Sequence, residues 1–182
     1  MHVLQWIAVE ADEEDTKQDV LLSVQGNLED MLNPDYSGGS WFDWFVAGGG
    51  RWNVGQEEEF DEAYKEGKTN MIIHAGTDLD KFKERIATSL EARKAEFDRY
   101  ASEAKPELLE KVIAGYNPNQ TDYSYFTDLY SIKKVIDMAF GDWDFNSYYF
   151  DMTNQTTNPQ YVLEAIDKKP NLWYLVPVDF HF

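Results

Sequence analysis

Three sets of residues in this 182-residue chain have types and spacing suited to chemistry. The first is the turn Gly48-Gly49-Gly50-Arg51-Trp52, which follows the aromatic run Trp41-Phe42-Asp43-Trp44-Phe45. Successive glycines are expected where the backbone takes positive φ or approaches another group closely. Such a run can turn its N–H groups toward an anion, and Arg51 would add charge. Trp44, Gly48, Gly49, Gly50, Arg51 and Trp52 therefore form a candidate pocket for a nucleotide or small anion, to bind or to hydrolyse. The structural alternative is that Arg51 pairs with Asp43, or stacks between Trp44 and Trp52 to fix the strand end. Neither G-x-G-x-x-G nor G-x-x-x-x-G-K-[ST] is present.

The second set is His2, Asp179 and His181. Asp179 and His181 are two apart and share a face of the final strand. If the first and last strands pair antiparallel, His2 comes beside His181, giving the makings of a metal site or a general-base pair. A terminal strand often ends in such residues for hydrogen bonding, and on that reading no bound metal and no cofactor is expected. His74 stands alone and reads as structural.

The third set is a surplus of carboxylates. Sixteen Lys and Arg against 34 Asp and Glu give a formal net charge of −18. Residues 1–62 hold 15 of the acidic residues and only two basic ones, Lys17 and Arg51. Such a surface repels phosphate backbones, which argues against direct nucleic-acid binding. It could instead occupy the basic groove of a nucleic-acid-handling protein, through Glu10, Asp12, Glu13, Glu14, Asp15, Glu57, Glu58, Glu59, Asp61 and Glu62. Solubility alone is the plainer reading, and residues 12–15 also sit where a helix should begin, a place that favours carboxylates.

No cysteine is present, which removes disulfides, thiolate metal sites and cysteine nucleophiles. No apolar run approaches the roughly 18 residues of a membrane span, and the start does not read as a signal peptide. A cytoplasmic, single-domain protein without membrane contact is expected, its oligomeric state open.

The elements that must position these residues follow from periodicity. Residues 2–9 read as a strand apolar on both faces, hence central in a sheet. Val20, Val24, Leu28 and Leu32 recur at helical spacing before Asn33-Pro34, and residues 41–47 form a second strand. The end repeats this grammar: a strand over 147–152, a helix opened by Asn158-Pro159, and a last strand over 172–182. Together residues 1–52 and 145–182 fit the halves of a ferredoxin-like βαββαβ sandwich, with a four-stranded antiparallel sheet, helices on one face and the last strand at an edge, where Pro177 is tolerated. Residues 53–144 are a mainly helical insertion: Asp78 caps one helix, Pro106 opens another, and Leu129 to Phe140 mark a third. Residues 70–75 fit a further strand, and 116–125 a loop. Tyr123, Tyr125, Phe126, Tyr130, Trp143, Phe145, Tyr148 and Tyr149 are core or, if exposed, a partner-binding surface.

The aromatic strand Trp-x-Asp-Trp-Phe leading into Gly-Gly-Arg-Trp, with the closing Val-Asp-x-His, resembles a group of small uncharacterised proteins of bacteriophages and prophages. Trp41, Asp43, Trp44, Gly49, Gly50, Arg51, Trp52, Val178, Asp179, His181 and Phe182 carry the resemblance. Gly48 and Phe180 depart from it. It implies a phage accessory protein and brings no mechanism with it. The expectation is a non-enzymatic acidic accessory protein that inhibits a basic, nucleic-acid-binding host factor by mimicry, such as a defence nuclease, in the manner of anti-restriction or anti-CRISPR proteins. The alternatives are a nucleotide or anion site at the glycine turn, or a structural, oligomerising phage component that uses the aromatic surface.

Overall fold

A computed structural model describes residues 1–32, 40–54 and 68–182. Among them the chain forms a mixed five-stranded sheet and six α-helices, an α+β fold. The strands are β1 (His2–Glu10), β2 (Trp44–Ala47), β3 (Ile73–His74), β4 (Tyr149–Asp151) and β5 (Trp173–His181). The helices are α1 (Lys17–Leu32), α2 (Arg51–Val54), α3 (Leu79–Glu103), α4 (Pro106–Ala114), α5 (Tyr123–Phe140) and α6 (Gln160–Ile166).

Strand order is β2-β5-β1-β4, with β3 paired to β5 beyond the end of β2. β1 lies in the interior as its two apolar faces require, antiparallel to β5 and parallel to β4. The ferredoxin-like expectation is corrected on three points. The sheet is mixed, β5 is internal, and helices cover both faces. On one face Val20, Leu21, Val24 and Leu28 of α1 pack with Ile7, Phe150, Val176, Val178 and Phe180. On the other, Phe82 and Ile86 of α3 and Val162 and Ile166 of α6 pack with Trp6, Ala8, Tyr149, Trp173 and Leu175.

The sheet is mixed because β4 lies parallel to β1, and the other two points follow from the placement of β2. The long segment after β2 frees it from a hairpin with β4, and it pairs with the far side of β5. A parallel β-α-β crossover that keeps its right hand must change face when it changes direction, so α1 moves to the face opposite α6. Pro177, now inside a central strand, is accommodated differently. Gly48 N–H donates to Pro177 O at 2.8 Å, so the proline's backbone edge faces the gap between β2 and β3. A missing donor there breaks no ladder bond.

Several local expectations are met by the physics proposed for them. Asp78 caps α3 by accepting from Lys81 N–H at 3.2 Å, and Pro106 occupies the first turn of α4. α1, however, is capped by Thr16 and starts at Lys17 rather than within residues 12–15. Thr16 Oγ1 and Asp19 reciprocate across the first turn as a capping box, with Thr16 N–H 2.9 Å from Asp19 Oδ2. The Thr16 contacts hold the Asp19 carboxyl below the usual carboxylate range. The second strand is shorter than expected, since Ser40 to Asp43 lead into it as irregular chain. The expected loop over residues 116–125 ends at Asp122, which caps α5 through Ser124 N–H at 2.9 Å. No helix among the described residues is long and apolar enough to cross a membrane.

Candidate functional site

Two places draw the candidate residues together, one at each end of the long pair β1 and β5. At the first, the glycine turn and the histidine set, read separately in the sequence, form a single cluster. Antiparallel pairing places His2 opposite His181, and His181 opposite Trp44 on its other side. Asp179 is fully buried beneath them. His2 Nδ1 lies 2.9 Å from Asp179 Oδ1, while Asp179 Oδ2 accepts the Arg51 backbone N–H at 3.2 Å. The Arg51 Nε is 3.9 Å from the same oxygen, and its guanidinium lies over the Trp52 ring at 5.9 Å.

The glycines make this contact possible. Gly48, Gly49 and Gly50 take φ of +89°, +100° and +47°. At Gly50 a Cβ would lie 2.5 Å from Asp179 Oδ2, and at Gly48 2.3 Å from the Lys68 carbonyl oxygen. The turn therefore presses its backbone onto a carboxylate, and that carboxylate is the chain's own.

Asp43 pairs with His181 rather than with Arg51: its Oδ1 is 2.6 Å from His181 Nδ1. That hydrogen bond holds the Asp43 carboxyl below its ordinary value. Trp44 stacks on His181, with centroids 5.0 Å apart and planes 12° from parallel. The imidazoles of His2 and His181 meet edge to face at 4.9 Å. The Met1 α-amino nitrogen lies 3.4 Å from His181 Nε2. Both histidines thus commit Nδ1 to a carboxylate and keep Nε2 for other partners. Among the described residues no group of three or more His, Asp or Glu is arranged to hold a metal ion. His74 lies apart, stacked on Tyr174 at 4.4 Å and bonded through Nε2 to Asn171 O at 2.9 Å.

The second place is the carboxyl end of β1. Glu10, Asp12, Glu13 and Glu14 are exposed and Asp15 is half-buried. Glu57, Glu58, Glu59, Asp61 and Glu62 lie outside the described residues. None of the first five forms an ion pair with a described residue. Lys17, the nearest cation in sequence, turns its ammonium to Ile72 O at 2.6 Å. The loop backbone is fixed at several points. Glu10 N–H donates to Thr153 Oγ1 at 2.9 Å, Ala11 N–H to Leu172 O at 2.8 Å and Asp12 N–H to Asp15 Oδ2 at 3.0 Å. The Tyr174 hydroxyl donates to Asp15 O at 3.0 Å.

A cavity at this end is lined by Glu10, Tyr161, Glu164, Lys168, Lys169 and Trp173. β1 and β4 are parallel neighbours whose following helices, α1 and α6, pack on opposite faces. Such a switch leaves a cleft outside the strand ends, the usual binding position in open α/β sheets. Asp151, at the end of β4, is fully buried and its carboxyl is pushed up by burial, although Asn154 N–H and Nδ2–H donate to it at 3.0 and 2.8 Å. Asp151 escaped the sequence reading, whereas Asp43 was read as a partner for Arg51 and proves to be the partner of His181. Asp151 follows an aromatic strand with no charged neighbour in sequence. Of the aromatic set, Tyr149 is buried, whereas Tyr123, Phe126 and Tyr130 on α5 are exposed.

No family model matches the chain, and no curated protein and no solved structure shows significant similarity to it.

Proposed function

We propose that this chain is an acidic binding protein that occupies the basic, nucleic-acid-binding surface of another protein, an accessory role in keeping with the phage resemblance of its sequence motifs. The fixed acidic loop after β1 supports this reading most directly. Carboxylates kept for solubility need no defined geometry. Here five consecutive positions from Glu10 to Glu14 include four exposed acids, and the backbone of the first three is held to Thr153, to Leu172 just before β5 and to Asp15. A pre-organised array loses less entropy on docking and can match the spacing of cationic side chains. Glu10 lies near enough to the buried Asp151 carboxyl to push it further up.

The test is affinity capture from host cells with the wild-type chain and with a variant carrying Glu10→Lys, Asp12→Lys, Glu13→Lys and Glu14→Lys. The expected result is a basic nucleic-acid-binding protein retained by the wild type and lost from the variant, and released from the wild type by duplex DNA. Retention of the same proteins by both would remove the acidic loop from the function.

A further inference from the structure

We propose that His2 and His181 form a general acid–base pair that cleaves a small ribonucleotide phosphodiester. The argument starts from tautomers. A carboxylate only accepts hydrogen bonds, so His2 Nδ1, 2.9 Å from Asp179, and His181 Nδ1, 2.6 Å from Asp43, both carry hydrogen. Each ring then presents Nε2, oriented by a carboxylate as acid–base imidazoles require, and at His181 that nitrogen also faces the Met1 α-amino nitrogen at 3.4 Å, which a substrate must displace. The rings stand 4.9 Å apart at 70°, close enough to address two oxygens on one phosphorus.

The substrate class follows from what surrounds the pair. Among the described residues no Ser or Thr hydroxyl is hydrogen-bonded to either imidazole, and the chain has no cysteine, so the pair suits a substrate that brings its own nucleophile. A ribose 2′-hydroxyl beside a 3′-phosphodiester supplies it. Trp44, stacked on His181, and Trp52, beneath the Arg51 guanidinium, are each partly exposed and offer indole surfaces to a base. Arg51, 3.9 Å from Asp179 through Nε, and the Met1 α-amino group border the cluster as its cations.

The net charge argues against long nucleic acid but not against a dinucleotide, which carries one phosphodiester charge. The acidic loop lies at the opposite end of the nine-residue β1, about 27 Å away at about 3.4 Å per residue. That is roughly three Debye lengths at physiological salt.

In the step, one imidazole, unprotonated at Nε2, takes the 2′-hydroxyl proton as O2′ attacks phosphorus. The other, protonated at Nε2, gives its proton to O5′ as the P–O5′ bond breaks. The products are a 2′,3′-cyclic phosphate and a free 5′-hydroxyl, and the two imidazoles have exchanged protonation states. Release of one proton to solvent and uptake of another resets the pair.

The experiment uses the full chain with uridylyl-(3′→5′)-adenosine, followed by chromatography of uridine 2′,3′-cyclic phosphate and adenosine. Cleavage with a bell-shaped pH dependence is expected, with none of the 2′-deoxy analogue. His2→Asn and His181→Asn keep an N–H donor toward Asp179 and Asp43, so each should fold with a near-native melting temperature. Each should lose about 100-fold or more in rate, the scale of a general acid or base. Two results would overturn the proposal: no cleavage by the wild type, or equal cleavage by identically purified, folded Asn variants.

Discussion

His2 Nδ1 and Asp179 Oδ1, 177 positions apart in sequence, are joined at 2.9 Å with the carboxylate fully buried. The bond ties the first strand to the last at the point where the glycine turn also lands. Removing one partner of a buried polar pair leaves the other unsatisfied, at about 1–3 kcal/mol or more where charge is involved. Asp179→Ala should therefore lower unfolding stability in urea by about 2–3 kcal/mol, and Asp179→Asn, which keeps an acceptor, by less. Wild-type stability of the alanine variant would show that Arg51 and His2 do not depend on this carboxylate.

Two glycines should respond oppositely to the same substitution. Gly50 has φ +47°, and an added Cβ would meet Asp179. Gly26 lies inside α1 with nothing within 4 Å of a built Cβ. Gly50→Ala should destabilise the protein by at least about 1–3 kcal/mol, whereas Gly26→Ala should stabilise it by about 0.5–1 kcal/mol. Thermal melts of the two variants measure this directly, and a gain at position 50 would contradict the close approach of turn and carboxylate.

Asp151 gives a pH signature. Burial raises its carboxyl in the folded state, so between the unfolded value, near 3.8, and the raised folded one, the native state binds more protons than the unfolded state. In that window stability falls as pH rises, and above it the charged, buried form remains a cost. Asp151→Asn should therefore raise the melting temperature at pH 7, and the gain should shrink as pH is lowered toward 4. A gain independent of pH would show that burial of charge is not its source.

The parts of this fold legible in sequence are those set by local periodicity. β1 is apolar on both faces and proves internal, and Asp78, Pro106 and Pro159 stand at or beside helix starts as their chemistry requires. The pairing of His2 with His181 also followed, because it needed only antiparallel neighbours. The edge taken by β2 did not. β2 is four residues long with Phe45 and Val46 both partly or fully covered, and nothing in so short a strand says which neighbour it joins. That placement decided the helix faces and the interior position of Pro177. The merging of the glycine turn with Asp179 was hidden for the same reason, since it depends on β2 lying beside β5.

The acidic loop carries the central claim, and competition for the captured partner tests it most directly. Binding of a fluorescein-labelled DNA duplex to that partner should be displaced by the wild-type chain, with an apparent affinity that weakens as salt rises from 50 to 200 mM, on the order of one Debye screening step. The variant with Glu10, Asp12, Glu13 and Glu14 each changed to Lys should fold normally and fail to displace the duplex. Displacement by the variant equal to that of the wild type, with the same salt dependence, would contradict the account.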